Sequence, residues 1–573
     1  MAVTAPRAAE PIPSGRGSSR FSLWNRTLDH YPDTGPRVFY LAIVVLATII
    51  LYYELYVAGA VGPQIIAQYH MSFRYFVYIS VVSNAVGAFS SVIAGLADRW
   101  GRANLVVWGL LLTGLLVAFA VPHAGSAFVF AALVALVGFV EGMILVATPA
   151  LVRDFSPQLG RASAMGFWTL GPVVGSLVLS EVASHTLPHL HAWQDQYMIC
   201  GFAGLGVFLV ALFGLRELSP NLRDQLMVSA RDRALIEARA KGIDVEDTLR
   251  HPWRQMLHFD IVGSAFAVSV FLLIYYAAVG FFVVYFTTTF GFTEAQANGI
   301  GNWFWGFDAL ALVLVGLASD RLRVRKPFMI VGGLGAAVMT IVFLSRTHDP
   351  HTGYYTFAWI ITVLAVFLAI AYAPWMASFT ETVERRNPAL TATGLAVWGW
   401  ILRIVVAVSF LILPIVVSAA TPLVTYGPEA QAIAAKYPQQ IQTLSTVDPA
   451  TLQALAKNPL DTAALAKATT ELHAALGTTP SQAITRLLAL KKVPAADIAF
   501  LQAHGAQLTA AQKKNPGQWQ TWWWVCVAGE LVFLPLVLVM AGRWSPAKAK
   551  RDAEEHERQV EEEMARLREA GVA

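Results

Sequence analysis

Residues 74–122 read RYFVYISVVSNAVGAFSSVIAGLADRWGRANLVVWGLLLTGLLVAFAVP, in which two long apolar stretches flank the short polar loop GLADRWGR. Each apolar stretch has about 20 residues, enough for one helix to cross a bilayer. Gly95 and Gly101 permit a tight turn between the two helices. Arg99 and Arg102 favour a loop that stays on the cytoplasmic side. The stretch therefore predicts a helical hairpin that crosses a membrane twice.

The composition of the whole chain agrees with a membrane protein. Of its 573 residues, 56% are hydrophobic and 14% are charged, whereas soluble proteins carry about 25% charged residues. The net charge is +4, and no nucleic-acid-reading motif occurs, so we expect no nucleic-acid partner. Cys200 and Cys526 both lie in apolar stretches, which excludes a disulfide framework and a cysteine zinc site. We expect neither a cofactor nor a metal.

Apolar stretches of spanning length occur twelve times, in two sets of six. The predicted fold is therefore an all-α integral membrane protein with two six-helix halves. The predicted spans are 38–62, 74–97, 104–122, 126–150, 162–184 and 195–215, followed by 260–289, 295–318, 327–345, 354–378, 390–418 and 520–543.

Lys and Arg accumulate in alternate short loops, which sets the orientation. The arginine-rich loops share one side with the N-terminus and the central linker, so both termini are expected in the cytoplasm and the chain in the plasma membrane. The predicted domains are a disordered tail (1–36), an N-terminal bundle (37–215), a cytoplasmic linker (216–258), helices 7–11 (259–420), an outer insert (421–519), helix 12 (520–543) and a charged tail helix (544–573).

The outer insert differs in composition from the spans. Residues 421–519 are rich in Ala, Leu and Gln, and several segments begin at a capping residue and repeat apolar positions every three to four residues. This pattern predicts a small helical extracytoplasmic domain. It contains His473 and His504 but no phosphate loop and no nucleophile with a base pattern, so we expect no enzyme there.

GLADRWGR resembles the loop between helices 2 and 3 of the major facilitator superfamily. A degenerate copy, GLASDRLRVRK at 316–326, follows helix 8, where the second half of a repeat would carry it. The resemblance implies a transporter that works by alternating access, acts as a monomer and binds a small-molecule substrate within the lipid bilayer. It also implies a cytoplasmic gating role, not substrate contact, for Gly95, Asp98, Arg99, Gly101, Arg102, Asp320 and Arg321.

Two acids inside predicted spans carry a finer resemblance, to the anion:cation symporter branch of the superfamily. Glu54 precedes Pro63 by nine positions in helix 1, and Glu141 follows Gly138 in helix 4. This resemblance implies proton coupling, with both carboxyls facing substrate water. The branch's arginines are absent, since Leu55 and Val134 occupy their positions. Because the two acids are present, protons are the expected second partner.

Other polar residues inside the spans are candidates for the substrate site. Arg403 in helix 11 and Asp308 in helix 8 are expected to bind substrate or to pair with an opposite charge. Tyr275, Tyr276 and Tyr372, on helices 7 and 10, are expected to line the cavity and stack on an organic substrate.

Three functions are compatible with these features. A proton-coupled transporter of a small organic solute is the first. A proton-driven exporter of amphipathic drugs is the second, because LGPVVGSL (170–177) partly resembles the helix 5 motif of exporters. Packing of helix 5 on helix 8 through small residues is the other interpretation of that motif. A membrane sensor that binds ligand through the insert is the third. His185, His189 and His191 are solvated loop residues in our interpretation.

Overall fold

The computed structural model of the protein describes residues 24–93, 101–156, 168–220, 222, 252–322, 324–387 and 390–542. It also describes, in the C-terminal tail, 544–547, 550, 551, 554, 555, 558 and 562. We call the side of the insert the outer side and the side of the termini the inner side.

The first half of the chain forms seven helices in the described residues. Long apolar runs give the longer helices, and Pro63 starts a short helix at the outer end of the first one. They are α1 (Thr34–Ala60), α2 (Gly62–Gln68), α3 (Phe73–Ile93), α4 (Arg102–Leu115), α5 (Ala127–Phe155), α6 (Gly171–Thr186) and α7 (Trp193–Gly214). A π turn at Leu116–Ala120 and a 3-10 turn at Val121–His123 extend α4.

The second half repeats this arrangement. Its seventh spanning stretch is broken at Leu272 into two helices. The helices are α8 (Pro252–Met256), α9 (Phe259–Phe271), α10 (Leu273–Phe290), α11 (Glu294–Leu322), α12 (Lys326–Ser345), α13 (Tyr354–Arg386) and α14 (Thr391–Val416).

Ten helical stretches within the described residues are long and apolar enough to cross a membrane. The all-α membrane fold expected from the sequence is therefore confirmed. Helices α3 and α6 lie at the positions predicted for the second and fifth spans, and the count of twelve spans stays a prediction.

Each half is a helical bundle, and several helix pairs join the halves. In the first half, α1 packs against α5, α6 and α7, and in the second half α13 packs against α11 and α12. The most extensive of these pairs are α6 with α11, α3 with α14, and α1 with α10. One continuous apolar core runs through both bundles. The halves therefore meet along α1, α3 and α6 on one side and α10, α11 and α14 on the other.

Helix α6 explains the sequence LGPVVGSL by close packing. A Cβ atom on Gly171 would lie 2.5 Å from Cγ2 of Thr48, and one on Gly175 would lie 2.8 Å from Cβ of Tyr52, both on α1. The expected packing on helix 8 involves a different residue, Ser180, whose Oγ lies 2.7 Å from a Cβ atom built on Gly301 of α11. The glycines of the motif thus seat α1 rather than α11.

The N-terminal segment differs from the predicted tail of residues 1–36. Strand β1 (Thr27–Leu28) pairs in parallel with strand β2 (Glu217–Leu218), which follows α7. Arg26 is 1% exposed, and its guanidinium donates to Oδ1 of Asn104 at 3.2 Å and to the carbonyl oxygen of Leu215. A buried arginine that caps a helix C-terminus in this way holds the segment on the first bundle.

The outer insert consists of a stalk and a head. Helices α15 (Ala420–Lys436) and the first part of α20 (Ala495–Val537) form the stalk, with a small core of their own. The head contains α16 (Pro438–Thr446), α17 (Pro449–Lys457), α18 (Thr462–Leu476) and α19 (Pro480–Ala489) around a second core. Helix α20 runs through the predicted boundary at 519 without a break, so the insert and helix 12 share one helix.

Candidate functional site

Five tyrosines form the centre of the molecule between the two halves. They are half-buried, and we call them the tyrosine cluster: Tyr52 and Tyr56 on α1, Tyr275 and Tyr276 on α10, and Tyr372 on α13. The rings of the first pair are 5.5 Å apart and those of the second pair 5.3 Å apart. Tyr276 lies within electrostatic range of both Tyr52 and Tyr372, so the cluster joins the two halves.

Arg403 lies at the middle of α14 beside this cluster. It is exposed, and it is within electrostatic range of Tyr52 and Tyr276. Among the residues that the structure describes, it has no hydrogen-bond or ion-pair partner. A charged side chain at mid-membrane depth is expensive unless water or a partner meets it. The position of Arg403 therefore requires a polar space between the halves.

Asp308 lies at the middle of α11 on the other side of the cluster. It is 4% exposed and lies within electrostatic range of Tyr275 and Tyr372. One turn away, Trp305 meets Tyr275 edge to face at 5.1 Å. The described residues include no ion pair between Asp308 and Arg403, which was one of the two roles considered for them from the sequence.

The sequence suggested that Glu141 and Glu54 face a water-lined surface. In the structure both lie inside the first bundle. They are 1% and 3% exposed, and their carboxylate oxygens accept no hydrogen bond from any described residue. The two carboxyls are within electrostatic range of each other and of Cys200. A side-chain atom on Gly204 would overlap Oε1 of Glu54. The difference arises because an apolar helix gives no indication of which face carries the acid.

Glu141 nevertheless remains connected to the tyrosine cluster. It is within electrostatic range of Tyr52 and Tyr56, both of which border the space between the halves. These two tyrosines are not among the site residues predicted from the sequence. Their spacing of four in YYELY, around Glu54, places them on one face of α1 and would have indicated them.

Glu530 is a further buried acid that the sequence analysis missed, although it lies in the predicted helix 12. It is fully buried in the second bundle, where Oγ1 of Thr340 donates to its Oε1 at 2.8 Å. Its helix, α20, packs most extensively against α9 and α12 and also contacts α10. Glu530 therefore differs from Glu141 in having a hydrogen-bond partner within its own bundle.

The inner ends of both halves carry similar ion pairs. Gly101 has φ +89°, and the backbone N–H of Arg102 donates to Oε2 of Glu217 at 2.7 Å. The Arg102 guanidinium binds both carboxylate oxygens of Asp154, at the end of α5. Gly95, Asp98 and Arg99 lie outside the described residues.

In the second half, Arg325 pairs with Asp320 at 2.7 Å and with Glu381 of α13 at 3.2 Å. In each half an arginine next to the start of the third spanning helix thus binds an acid near the end of the fourth. Arg321, the other residue predicted for this loop, is exposed. The partner of Asp320 is therefore Arg325, which the sequence analysis did not select.

The outer ends of the two halves are in direct contact. A Cβ atom on Gly59 would lie 2.5 Å from the carbonyl oxygen of Val279. Nε2 of Gln64 donates to Oε2 of Glu294 at 2.6 Å, and Nδ2 of Asn302 donates to Oγ of Ser184 at 3.1 Å. The tyrosine cluster is therefore closed off from the outer side.

The stalk of the insert lies over this closed end. The backbone N–H of Phe73, in the first half, donates to Oγ1 of Thr421 at 3.1 Å. From the second half, Oγ1 of Thr289 accepts from Nδ2 of Asn515 at 3.0 Å. The ring of Trp519 packs 6.5 Å from that of Phe73. The stalk thus contacts both halves where they meet.

Comparison with known proteins gives a consistent family. A model described as Major Facilitator Superfamily matches residues 44–409. The chain is 25% identical over 315 residues to "Probable anion transporter 3, chloroplastic" of Arabidopsis thaliana, which covers 51% of this chain and 56% of that protein. It is 25% identical over 207 residues to "High-affinity nicotinic acid transporter" of Saccharomyces cerevisiae, covering 35% and 38%. The matched regions thus span about half the length of these relatives.

A solved structure has the same overall fold. It is described as a bacterial homolog to the human lysosomal transporter Spinster, in an inward-facing and occupied conformation. The TM-score is 0.52 at 16% identity, with 84% of this chain and 98% of that chain covered.

Proposed function

Since the chain belongs to the Major Facilitator Superfamily and is a transporter rather than an enzyme, we propose that it couples protons to the movement of a small organic solute. The tyrosine cluster, Arg403 and Asp308 form the solute site in this proposal, and Glu141 exchanges the proton. The chain is a multi-pass membrane protein. We further place it in the plasma membrane, as a monomer, with both termini in the cytoplasm.

The observation that supports proton coupling most directly is the position of Glu141. Its carboxyl is buried at mid-span without a partner among the described residues, yet it lies within electrostatic range of Tyr52 and Tyr56 at the solute site. An unpartnered carboxylate is costly to bury. Burying and exposing Glu141 in turn would therefore bind and release a proton, and the tyrosines connect that event to the solute.

Alternating access is supported by the contacts at the outer ends. Gly59 lets α1 approach the backbone of α10, and side-chain hydrogen bonds join α2 and α6 to α11. Few of these interactions are strong individually. Separating them would open the solute site outward while the inner ends close.

The charge at Arg403 favours an organic anion as the solute. A guanidinium binds carboxylates in a bidentate geometry, and the tyrosine rings offer flat surfaces for an apolar part. The names of the two relatives, an anion transporter and a nicotinic acid transporter, agree with this chemistry.

Proteoliposomes sorted for one orientation and loaded with a pH dye test the proposal. Organic acids, sugars and cationic amphiphiles are added outside in turn, with Glu141→Gln as the inactive variant and Glu530→Gln as the matched control. Acidification of the lumen by an organic acid, lost only in Glu141→Gln, is the expected result. Unchanged proton movement in Glu141→Gln would contradict the role of Glu141.

The same experiment separates the exporter. Alkalinisation of the lumen by an amphiphile would indicate antiport and replace the first proposal. The glycines of the helix 5 motif pack against α1, so their packing explains that motif without an exporter function. A chain that moves neither solute nor protons in any condition would favour the sensor.

A further inference from the structure

We propose that the solute is bipolar: one end is an anionic group bound by Arg403, and the other is an ammonium or protonated nitrogen bound by Asp308. This inference rests on the proposed function, since it specifies what the same site binds. An organic anion alone would leave Asp308 without a role in the site.

A guanidinium and a carboxyl group border one tyrosine cluster without binding each other. Arg403 and Asp308 each lie at the middle of their helices, α14 and α11. Neither makes a hydrogen bond or ion pair with any residue in the described part of the chain. Intramembrane charges usually pair with one another or mark a substrate path. Two unpaired charges of opposite sign fit a ligand that carries both complementary charges.

The surroundings of Asp308 suit a cation. The residue is 4% exposed, and Tyr275 and Tyr372 lie within electrostatic range of it. Trp305 packs edge to face on Tyr275. A carboxylate in aromatic surroundings is a good site for an organic cation, because the carboxylate supplies charge and the rings supply cation–π contacts. An anionic ligand group at this end would instead be repelled.

Arg403 and Asp308 lie near different parts of the tyrosine cluster. Arg403 is within range of Tyr52 and Tyr276, and Asp308 is within range of Tyr275 and Tyr372. Tyr276 and Tyr372 are in turn within range of each other. The two groups therefore lie near different tyrosines of one cluster. A ligand that reaches both groups carries its charges at two ends, with flat or apolar atoms between them against the tyrosine rings.

The alternative for Asp308 is a second proton site. In that case its charge would matter for coupling and not for the choice of ligand. The two roles separate in a binding measurement made without any proton gradient, which also does not depend on whether Glu141 couples protons.

The experiment uses the full chain in nanodiscs and three probes that share one ring: benzoate, benzylammonium and 4-(aminomethyl)benzoate. Dissociation constants are measured by titration calorimetry. We expect the bipolar probe to bind at least about tenfold more tightly than benzoate, as one charge-assisted hydrogen bond provides. Asp308→Asn should remove this preference, so that the bipolar probe and benzoate bind about equally. Arg403→Gln should weaken the two carboxylate probes by a larger factor than benzylammonium.

Asp308→Ser serves as a second variant, and size-exclusion profiles confirm that each variant is folded. Glu141→Gln should retain the preference for the bipolar probe, so loss of coupling and loss of ligand choice are distinguishable. Equal binding of benzoate and 4-(aminomethyl)benzoate by the native chain would overturn the proposal. A preference that survives in both Asp308 variants would also overturn it. So would the absence of any binding of the bipolar probe at concentrations up to about 10 mM.

Discussion

The carbonyl oxygen of Ala60 accepts a 2.9 Å hydrogen bond from Nδ2 of Asn298, so the outer end of α1 is joined directly to α11 of the other half. The same amide also donates to the carbonyl oxygen of Glu294 within α11. One side chain therefore ties the two bundles together next to the point where Gly59 meets the backbone of α10. The outer closure depends on this small region.

Gly59→Ala should weaken the outer closure. Its Cβ would lie 2.5 Å from the carbonyl oxygen of Val279, and overpacking of this kind costs about 1–3 kcal/mol. The closed state should lose population, and solute uptake should fall. A cysteine placed at Tyr276 should react faster with a membrane-impermeant thiol reagent added outside. Gly280→Ala is the control, because its Cβ would lie 3.9 Å from Phe410. Equal labelling of the two variants would contradict the prediction.

Glu141→Gln should abolish solute accumulation driven by a proton gradient and retain solute exchange at equilibrium. The amide keeps the shape of the side chain but cannot take up and release the proton. Glu530→Gln should transport normally, because Glu530 already has Thr340 as its partner inside the second bundle. Radiolabelled uptake and counterflow in the same proteoliposomes measure both effects. Loss of accumulation in both variants to the same degree would argue against a special role for Glu141.

Gly204→Ala should destabilise the first bundle by about 1–3 kcal/mol, because the new methyl group would overlap Oε1 of Glu54. Gly206→Ala is a close control on the same helix, since a Cβ there would meet nothing within 4 Å. Thermal unfolding in detergent compares the two. Adding Glu54→Ala should restore part of the stability lost in Gly204→Ala, and failure of this rescue would mean that the overlap is not the cause.

Gly101→Ala should destabilise the inner loop. The residue has φ +89°, a conformation that costs a non-glycine residue about 1–3 kcal/mol, and its Cβ would also overlap the Glu217 carboxylate that caps Arg102. Gly125→Ala, in an open outer turn, should be tolerated. Limited proteolysis of the inner loops is the measurement. Identical digestion of both variants would show that the loop does not depend on this glycine.

The head of the insert should show its own pH dependence. Nζ of Lys467 donates to Oδ2 of Asp448 at 2.6 Å, which lowers the pKa of Asp448 and raises the pKa of Lys467. The contribution of Asp448 to the stability of the head is complete above the pKa of an unfolded aspartate, about 3.9, and is lost as pH falls through its folded pKa. The contribution of Lys467 to that stability is complete below the pKa of an unfolded lysine, about 10.4, and is lost as pH rises through its folded pKa.

The protection factors of the amides in α17 and α18, which are exchange rates corrected for the intrinsic pH dependence of exchange, should therefore be steady between about pH 5 and 9 and lower beyond both limits. The change should be small, because exposed ion pairs contribute little. Lys467→Gln should remove the alkaline loss, and an unchanged alkaline profile in this variant would rule out the ion pair as its cause.

Much of the fold could be predicted because its determinants are local. The apolar stretches on either side of residues 95–102 and the repeated loop at 316–326 identify the helices and the two halves. The predicted boundary at 519, between the insert and helix 12, rests on a different signal. Trp522, Trp523 and Trp524 begin an apolar run that indicates where the bilayer starts, but this signal does not show where a helix begins. Helix α20 therefore starts at Ala495, well before that run.

The candidate site was less predictable because it depends on how each helix is rotated. Helix α1 is apolar nearly all round, so its sequence does not show that Glu54 faces Gly204 while Tyr52 and Tyr56 border the space between the halves. The same limit applies to α11. Its sequence shows an acid at mid-span, but only the packed structure shows that Asp308 and Arg403 do not bind each other.

Helix α20 has a consequence for how the protein can be studied from its outer side. Its 43 residues form one helix of about 65 Å, with Pro516 inside it, that begins in the stalk and ends beside the inner loops. Because this helix joins the second bundle directly to the stalk, a tilt of the second bundle should move the head with it. An antibody fragment that recognises the head would therefore report the conformational cycle, or arrest it, without approaching the solute.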